Sequence, residues 1–342
     1  MSNKTPSSPS TLNPIARFGP GILAAIIVST VAVAGGALED RIFGRAIIEP
    51  LVLAIVVGML VRTAVGAQPR AEPGIRFVAK EILEVAVFLL GATMDVPRLF
   101  ASGPALAVGI VALVCTALGA GVLIGRAVGL SPRLAILVAC GNAICGNSAI
   151  AAVAPVIGAE REDVAASIAL TAVLGVAVVL GLPLLIGPLG FSHYQYGVLA
   201  GLTIYAVPQV LAAAFAVSSL SGQVATVVKL ARVLMLGPVV VFFALRHRDT
   251  ARGAKLTLSK IVPWFVVGFV LLASLRSFGV IPDLVATNAK TIAGWLMIAA
   301  MAGLGLSVDV RAVKQVGARV VVAVGASLLT LIGLALVLIK VL

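Results

Sequence analysis

The sequence predicts an all-α, polytopic membrane protein of about eleven transmembrane helices, with inverted repeats and discontinuous helices. Three observations predict it. Apolar residues make up 61% of the 342 residues, charged residues only 11%, and the mean hydropathy is +1.18. An average globular chain carries about 25% charge, so too few polar side chains are present to cover a water-facing surface. Eleven apolar runs are long enough to cross a bilayer, and none alternates as barrel strands do. The Lys and Arg residues also fall unevenly between the runs, 16 on one side and 7 on the other when eleven crossings are counted. That asymmetry places the N-terminus in the cytoplasm and the C-terminus outside. It also gives the net charge of +12 a membrane reading instead of a nucleic-acid one.

Residues 1–14 read as a disordered cytoplasmic tail, and 15–342 as one transmembrane transporter domain. The first run covers 20–38. Ala32-Val33-Ala34 imitates a signal-peptidase site, but the uncharged stretch continues to Leu38 and so is read as a span. The second run, 46–65, opens at Glu49-Pro50, an interfacial charge at a helix start. The third, 78–94, carries Lys80, Glu81 and Glu84 near its beginning. Lys80 can pair with Glu84 at i, i+4, and Glu81 and Glu84 are the candidate proton-coupling carboxylates. The fourth, 103–125, leads into the Gly121, Gly125 and Gly129 spacing, which permits close helix packing.

The fifth run, 132–157, is the most informative. Cys-Gly-Asn occurs at 140–142 and again at 145–147, followed by Ser148. Gly and Asn are poor helix formers, so four of them within seven residues are expected to interrupt the helix. Irregular backbone at membrane depth survives only inside protein or against a cavity. Asn147 or Ser148 would then cap a second half-helix whose N–H groups and positive dipole end can hold an anion. The bland alternative is a continuous helix packed through its glycines. Cys140 and Cys145 do not share a helical face.

The acidic stretch 160–163 suits the start of the sixth run, 164–189. In the seventh, 194–217, Thr203 precedes Pro208 and Gln209. The proline removes a backbone hydrogen bond, and Gln209 can supply an amide donor beside the break. The eighth, 222–245, places Lys229 and Arg232 on one face. A cation at the centre of a spanning helix costs about 2.5–3.5 kcal/mol. The pair therefore implies an anion, a carboxylate partner or a wet cavity, unless the side chains snorkel outward. The ninth to eleventh runs are 260–281, 288–306 and 318–339.

An internal echo links the two halves. Residues 91–96, GATMDV, match 305–310, GLSVDV, and Gly103 matches Gly317 at the same offset of 214. An odd number of crossings separates the copies, as an inverted repeat requires. The interruptions in the fifth and seventh runs do not share that offset. Asp95 and Asp309 read as caps of the turns that follow.

The stretch CGNAICGNSAIAAVAPVI, together with VFLLGATM, AVPQVLAA and KLARVLMLGPVV, resembles the YeiH family, whose members carry the label sulfate exporter. The resemblance covers nearly the whole chain after the tail. It implies kinship with the ten-helix inverted-repeat carriers of bile acids and of sodium and protons, in which paired broken helices cross at the substrate site. It places binding groups at Gly141, Asn142, Gly146, Asn147 and Ser148, with Pro208 and Gln209 opposite. The absence of an Asp-Asp pair in a broken helix argues against simple cation exchange.

The sequence thus leads to a secondary transporter of a small anion such as sulfate, sulfite or a sulfonate. Its expected site is Gly141, Asn142, Gly146, Asn147, Ser148, Thr203, Pro208, Gln209, Lys229 and Arg232. The alternatives are a cation-coupled importer of an organic anion, an anion channel and a membrane-embedded enzyme. The last would need a nucleophile or metal set, where only scattered Ser, three Cys and two His occur. No cofactor, metal or nucleic-acid partner is expected. The expected partners are the small anionic substrate, the lipid bilayer, H+ or Na+ as a coupling ion and further copies of the chain in a homo-oligomer.

Overall fold

In a computed structural model, residues 14–43, 49–94, 103–247, 263–309, 311 and 317–341 are described. Most of the expected tail, together with Asp95, lies outside them. Over its described residues each of the eleven apolar runs is mainly helical, and no strand occurs among the described residues. In chain order the helices are α1 (Pro14–Phe43), α2 (Pro50–Val65), α3 (Glu72–Phe77), α4 (Leu83–Leu90), α5 (Gly103–Ala127), α6 (Pro132–Cys140), α7 (Asn147–Ile157) and α8 (Arg161–Gly181). They continue as α9 (Ile186–Leu189), α10 (His193–Thr203), α11 (Val207–Phe215), α12 (Ser219–Leu234), α13 (Leu236–Arg246), α14 (Trp264–Ser277), α15 (Asp283–Ser307) and α16 (Ala318–Val341). Six helical stretches among the described residues are long and apolar enough to cross a membrane on their own.

A π-helical turn, Val78–Ile82, joins α3 to α4 in one rod. A π turn spreads its residues further round the axis than an α turn does. This overturns the expected Lys80–Glu84 pair: Lys80 meets Glu81 instead, at 3.1 Å.

Two of the eleven runs turn back at their centres. Ser131, at the entry to α6, hydrogen-bonds Asp163 in the first turn of α8 at 3.3 Å. A straight rod from 132 to 157 would hold these residues about 35–40 Å apart. Gly141 also lies against Ile150, and Leu134 and Val138 pack with Leu170. The pair α6–α7 is therefore a re-entrant hairpin, with α6 parallel to α8. The pair α10–α11 does the same. The Tyr196 hydroxyl donates to the Ala213 carbonyl at 3.1 Å, and Ser221 Oγ donates to the His193 carbonyl at 2.8 Å. Gly197 and Gly201 pack in turn on Ser221 and Ala225, so α10 runs parallel to α12. The 29-residue stretch Arg161–Leu189 separates the two hairpin bases. The hairpins thus enter from opposite faces.

The echo at offset 214 is physical. Gly91 sits against the carbonyl of Phe269, and Gly305 against that of Ile55. The offset of 214 carries Gly91 onto Gly305 and Ile55 onto Phe269, so it converts one contact into the other. Glycine is needed because a Cβ would collide with the facing backbone. The rod α3–α4 runs parallel to α14, with Glu84 and Phe88 at Trp264 and Gly91 at Phe269. Likewise α2 runs parallel to α15. Helices α5 and α16 pair antiparallel, with Gly109 at Leu338 and Gly121 at Ser327. The trio α2, α3–α4, α5 is thus repeated upside down as α14, α15, α16. In the first half the hairpin and its following helix come after the trio. In the second half they come before it, which explains why the two interruptions miss the 214 spacing.

The helices pack as two bundles. One holds α1, α2, α3–α4, α14 and α15; the other holds α5 to α13 and α16. Helix α11 of the second bundle meets α2 and α15 of the first, and α8 meets α2. With the hairpins folded back, Arg161 joins Arg126 and Arg133 on one face. Among the described residues, eleven Lys and Arg lie on that face and four (Arg41, Arg276, Lys290, Lys340) on the other, Lys229 and Arg232 aside.

Candidate functional site

Each hairpin tip is built by residues that cannot stay helical. After Cys140 the chain widens into a π turn, Gly141–Cys145, closed by the Gly146 N–H on the Gly141 carbonyl at 2.8 Å. Gly146 then takes φ +63°, which residues with a Cβ adopt at a cost, and α7 starts beyond it. Gly146 is therefore the N-cap, not Asn147 or Ser148, because reversing the chain requires its backbone freedom more than a side-chain cap. Asn147 and Ser148 become the first helical residues and are exposed in the middle of an otherwise buried run. Asn147 Oδ1 accepts from the Thr171 hydroxyl at 3.0 Å.

In the second hairpin α10 stops at Thr203, whose hydroxyl returns to the Leu199 carbonyl at 2.7 Å. Ile204 and Ala206 are extended. Pro208 stands in the first turn of α11, where its missing N–H breaks no helical bond. The Gln209 side-chain carbonyl accepts from the Ala206 N–H at 3.2 Å. It is wedged against Gly175 of α8, which has no space for a Cβ.

The two tips touch, since a Cβ on Gly146 would lie 3.3 Å from the Tyr205 Cβ. Lys229 and Arg232 reach this junction from α12, and both are wholly buried. Lys229 Nζ donates to the carbonyls of Ile144 (2.7 Å) and Ile204 (3.0 Å), one on each tip. Arg232 donates from Nη2 to Asn142 (2.9 Å), from Nε to Ala143 (3.3 Å), and from Nη1 to Gly201 (2.9 Å) and Ile204 (3.3 Å). A helix ends with carbonyls that lack partners, and these cations supply them. Lys229 and Arg232 thus clamp the backbone of both tips. The positive ends at the junction are the starts of α7 and α11, which favour negative charge; that of α7 is exposed at Asn147 and Ser148.

Cys145 and Tyr205 lie within electrostatic reach of Arg232. The Tyr205 hydroxyl and Asn142 Oδ1 are buried without a hydrogen-bond partner among the described residues. Asn142 Nδ2 donates to the Val324 carbonyl of α16 at 3.1 Å. Backbone carbonyls, Tyr205 and Thr171 are the site groups that reading the sequence missed. Carbonyls carry no letter in a sequence, but the lone aromatic beside the Pro208 break was a usable signal.

Glu81 and Glu84 are not brought to the junction. Both sit on the rod of the other bundle, Glu81 with Lys80 and Glu84 accepting from the Trp264 indole. Asp309 caps its own turn through the Arg311 N–H at 2.9 Å. Glu49 borders a groove of about 380 Å³ between α2 and α15, with Lys290 and Trp295. No group of three or more His, Cys, Asp or Glu arranged for a metal occurs among the described residues.

The family profile described as Conserved hypothetical protein 698 matches residues 20–324. A UPF0324 membrane protein of Bradyrhizobium diazoefficiens is 49% identical over 329 residues, 94% of both chains. Another from Brucella suis is 49% identical over 310 residues, covering 91% of this chain and 92% of its own. One from Bacillus cereus is 34% identical over 297 residues, 86% of each. The chain belongs to the UPF0324 membrane protein family, which is the YeiH family of the resemblance.

Proposed function

We propose that this member of the UPF0324 family is a secondary transporter of a small inorganic or sulfonated anion, working by alternating access. The observation that carries the reading is the junction of the tips. Two hairpins from opposite faces meet there, their carbonyl ends are closed by two buried cations, and the start of α7 is exposed at Asn147 and Ser148. Neither Lys229 nor Arg232 has a carboxylate partner among the described residues. An anion at the exposed start of α7, beside Asn147 and Ser148, supplies the missing negative charge. Transporter sites built from discontinuous helices use helix N-termini for anionic groups in this way.

Each hairpin touches one face of the membrane at its base and the centre at its tip. Movement of the hairpin bundle against α2 and α15 would expose the tips to one face and then the other. The cation-rich face is placed in the cytoplasm of a bacterial inner membrane. A potential negative inside drives an anion outward by about 2.3 kcal/mol per charge per 100 mV, so export fits this arrangement. The reading assigns the chain no chemical reaction and no nucleic-acid partner.

Thermal unfolding of the purified protein with sulfate, sulfite, ethanesulfonate and small carboxylates tests the proposal. A stabilising anion names the substrate class. Silence from every anion, with no anion flux in proteoliposomes, would overturn it.

A further inference from the structure

We propose that Lys229 and Arg232 are resident cations standing where a coupling metal ion would bind, so that the anion is carried without Na+. This rests on the carrier reading and adds the coupling ion to it. Where two interrupted helices meet, converging carbonyl oxygens and helix C-termini make a site for a hard cation. Five such carbonyls converge here, those of Asn142, Ala143 and Ile144 from one tip and of Gly201 and Ile204 from the other. Every one of them already accepts from a side-chain cation. Lys229 joins the tips through Ile144 and Ile204, and Arg232 joins them through Asn142, Ala143, Gly201 and Ile204.

The substitution is complete in geometry and in charge. Both side chains stand one turn apart on α12, so the charges cannot diffuse away as a bound ion can. The other ionisable groups facing them are Cys145 on the π turn and Tyr205 between α10 and α11. No described carboxylate offsets the two cations. A Na+ entering this junction would have to displace a donor and sit a few ångströms from both charges, where low dielectric magnifies repulsion.

The test uses the full-length protein in detergent, melted in about 150 mM NaCl or choline chloride, each with and without sulfate. The wild type is expected to melt alike in both salts, with the same sulfate shift. A shift specific to Na+, with or without sulfate, would overturn the inference. Lys229→Met keeps the alkyl stem and strips the donor from Ile144 and Ile204. Folded Lys229→Met is expected to gain a Na+-specific stabilisation of about 2–4 °C, and its failure to respond to Na+ would also count against the inference. Should Lys229→Met not fold, the wild-type comparison still decides. Absence of a sulfate shift in either salt bears on the carrier reading alone, because the comparison of Na+ with choline does not need a bound anion.

Discussion

Arg232 is the residue on which the junction depends most. Its guanidinium is wholly buried and meets four backbone carbonyls drawn from both tips. Leaving a buried acceptor without a donor costs about 1–3 kcal/mol. Arg232→Gln is therefore expected to lose about 3 kcal/mol or more of stability, seen as a lowered melting temperature in detergent. Arg232→Lys should recover only part, because an ammonium cannot span the same fork. Gly146 matters for a different reason. Its φ of +63° fits a residue without a Cβ, so Gly146→Ala should cost about 1–3 kcal/mol and weaken anion binding by displacing the start of α7. Isothermal titration with the stabilising anion would measure that loss.

At the scale of elements, the repeat makes a paired prediction. Gly91 and Gly305 stand at equivalent ends of α3–α4 and α15, each against a carbonyl of a parallel neighbour. Gly91→Val and Gly305→Val are expected to destabilise by similar amounts, about 1–3 kcal/mol each, and a large asymmetry in their melting temperatures would contradict the repeat. The joint between α2 and α3 is electrostatic. Burial alone would raise the Glu72 carboxyl, but hydrogen bonds and charge from Arg62 and Arg76 outweigh it, and the net effect holds it below its ordinary value. A carboxylate of depressed folded value contributes stability above its unfolded value and loses it as pH falls through the folded one. Melting of the wild type should therefore decline more steeply below about pH 4.5 than melting of Glu72→Gln.

For the whole molecule, the hairpins change which residues share a face. Ser131 touches Asp163, so Arg161→Cys should react with an impermeant maleimide from the same side as Arg133→Cys. Ser192→Cys, at the base of the other hairpin, should react from the opposite side. Labelling in sealed vesicles of known orientation checks this. A straight passage from 132 to 157 would put Arg133 and Arg161 on opposite faces.

Composition and run length alone determined the class and the eleven helical runs, because lipid leaves a spanning chain few ways to satisfy its backbone. Cys-Gly-Asn written twice marked where the helix must fail, and Lys229 with Arg232 marked a charge that needed partners. The GATMDV and GLSVDV echo located the repeat. What only the tertiary structure decided is direction and pairing. A run that breaks and continues has the same letters as one that breaks and returns; the contacts of Ser131 with Asp163 and of Tyr196 with Ala213 tell them apart. The partners of the two cations were decided there too, since the carbonyls they hold belong to every residue alike and become distinct only when the fold leaves them bare.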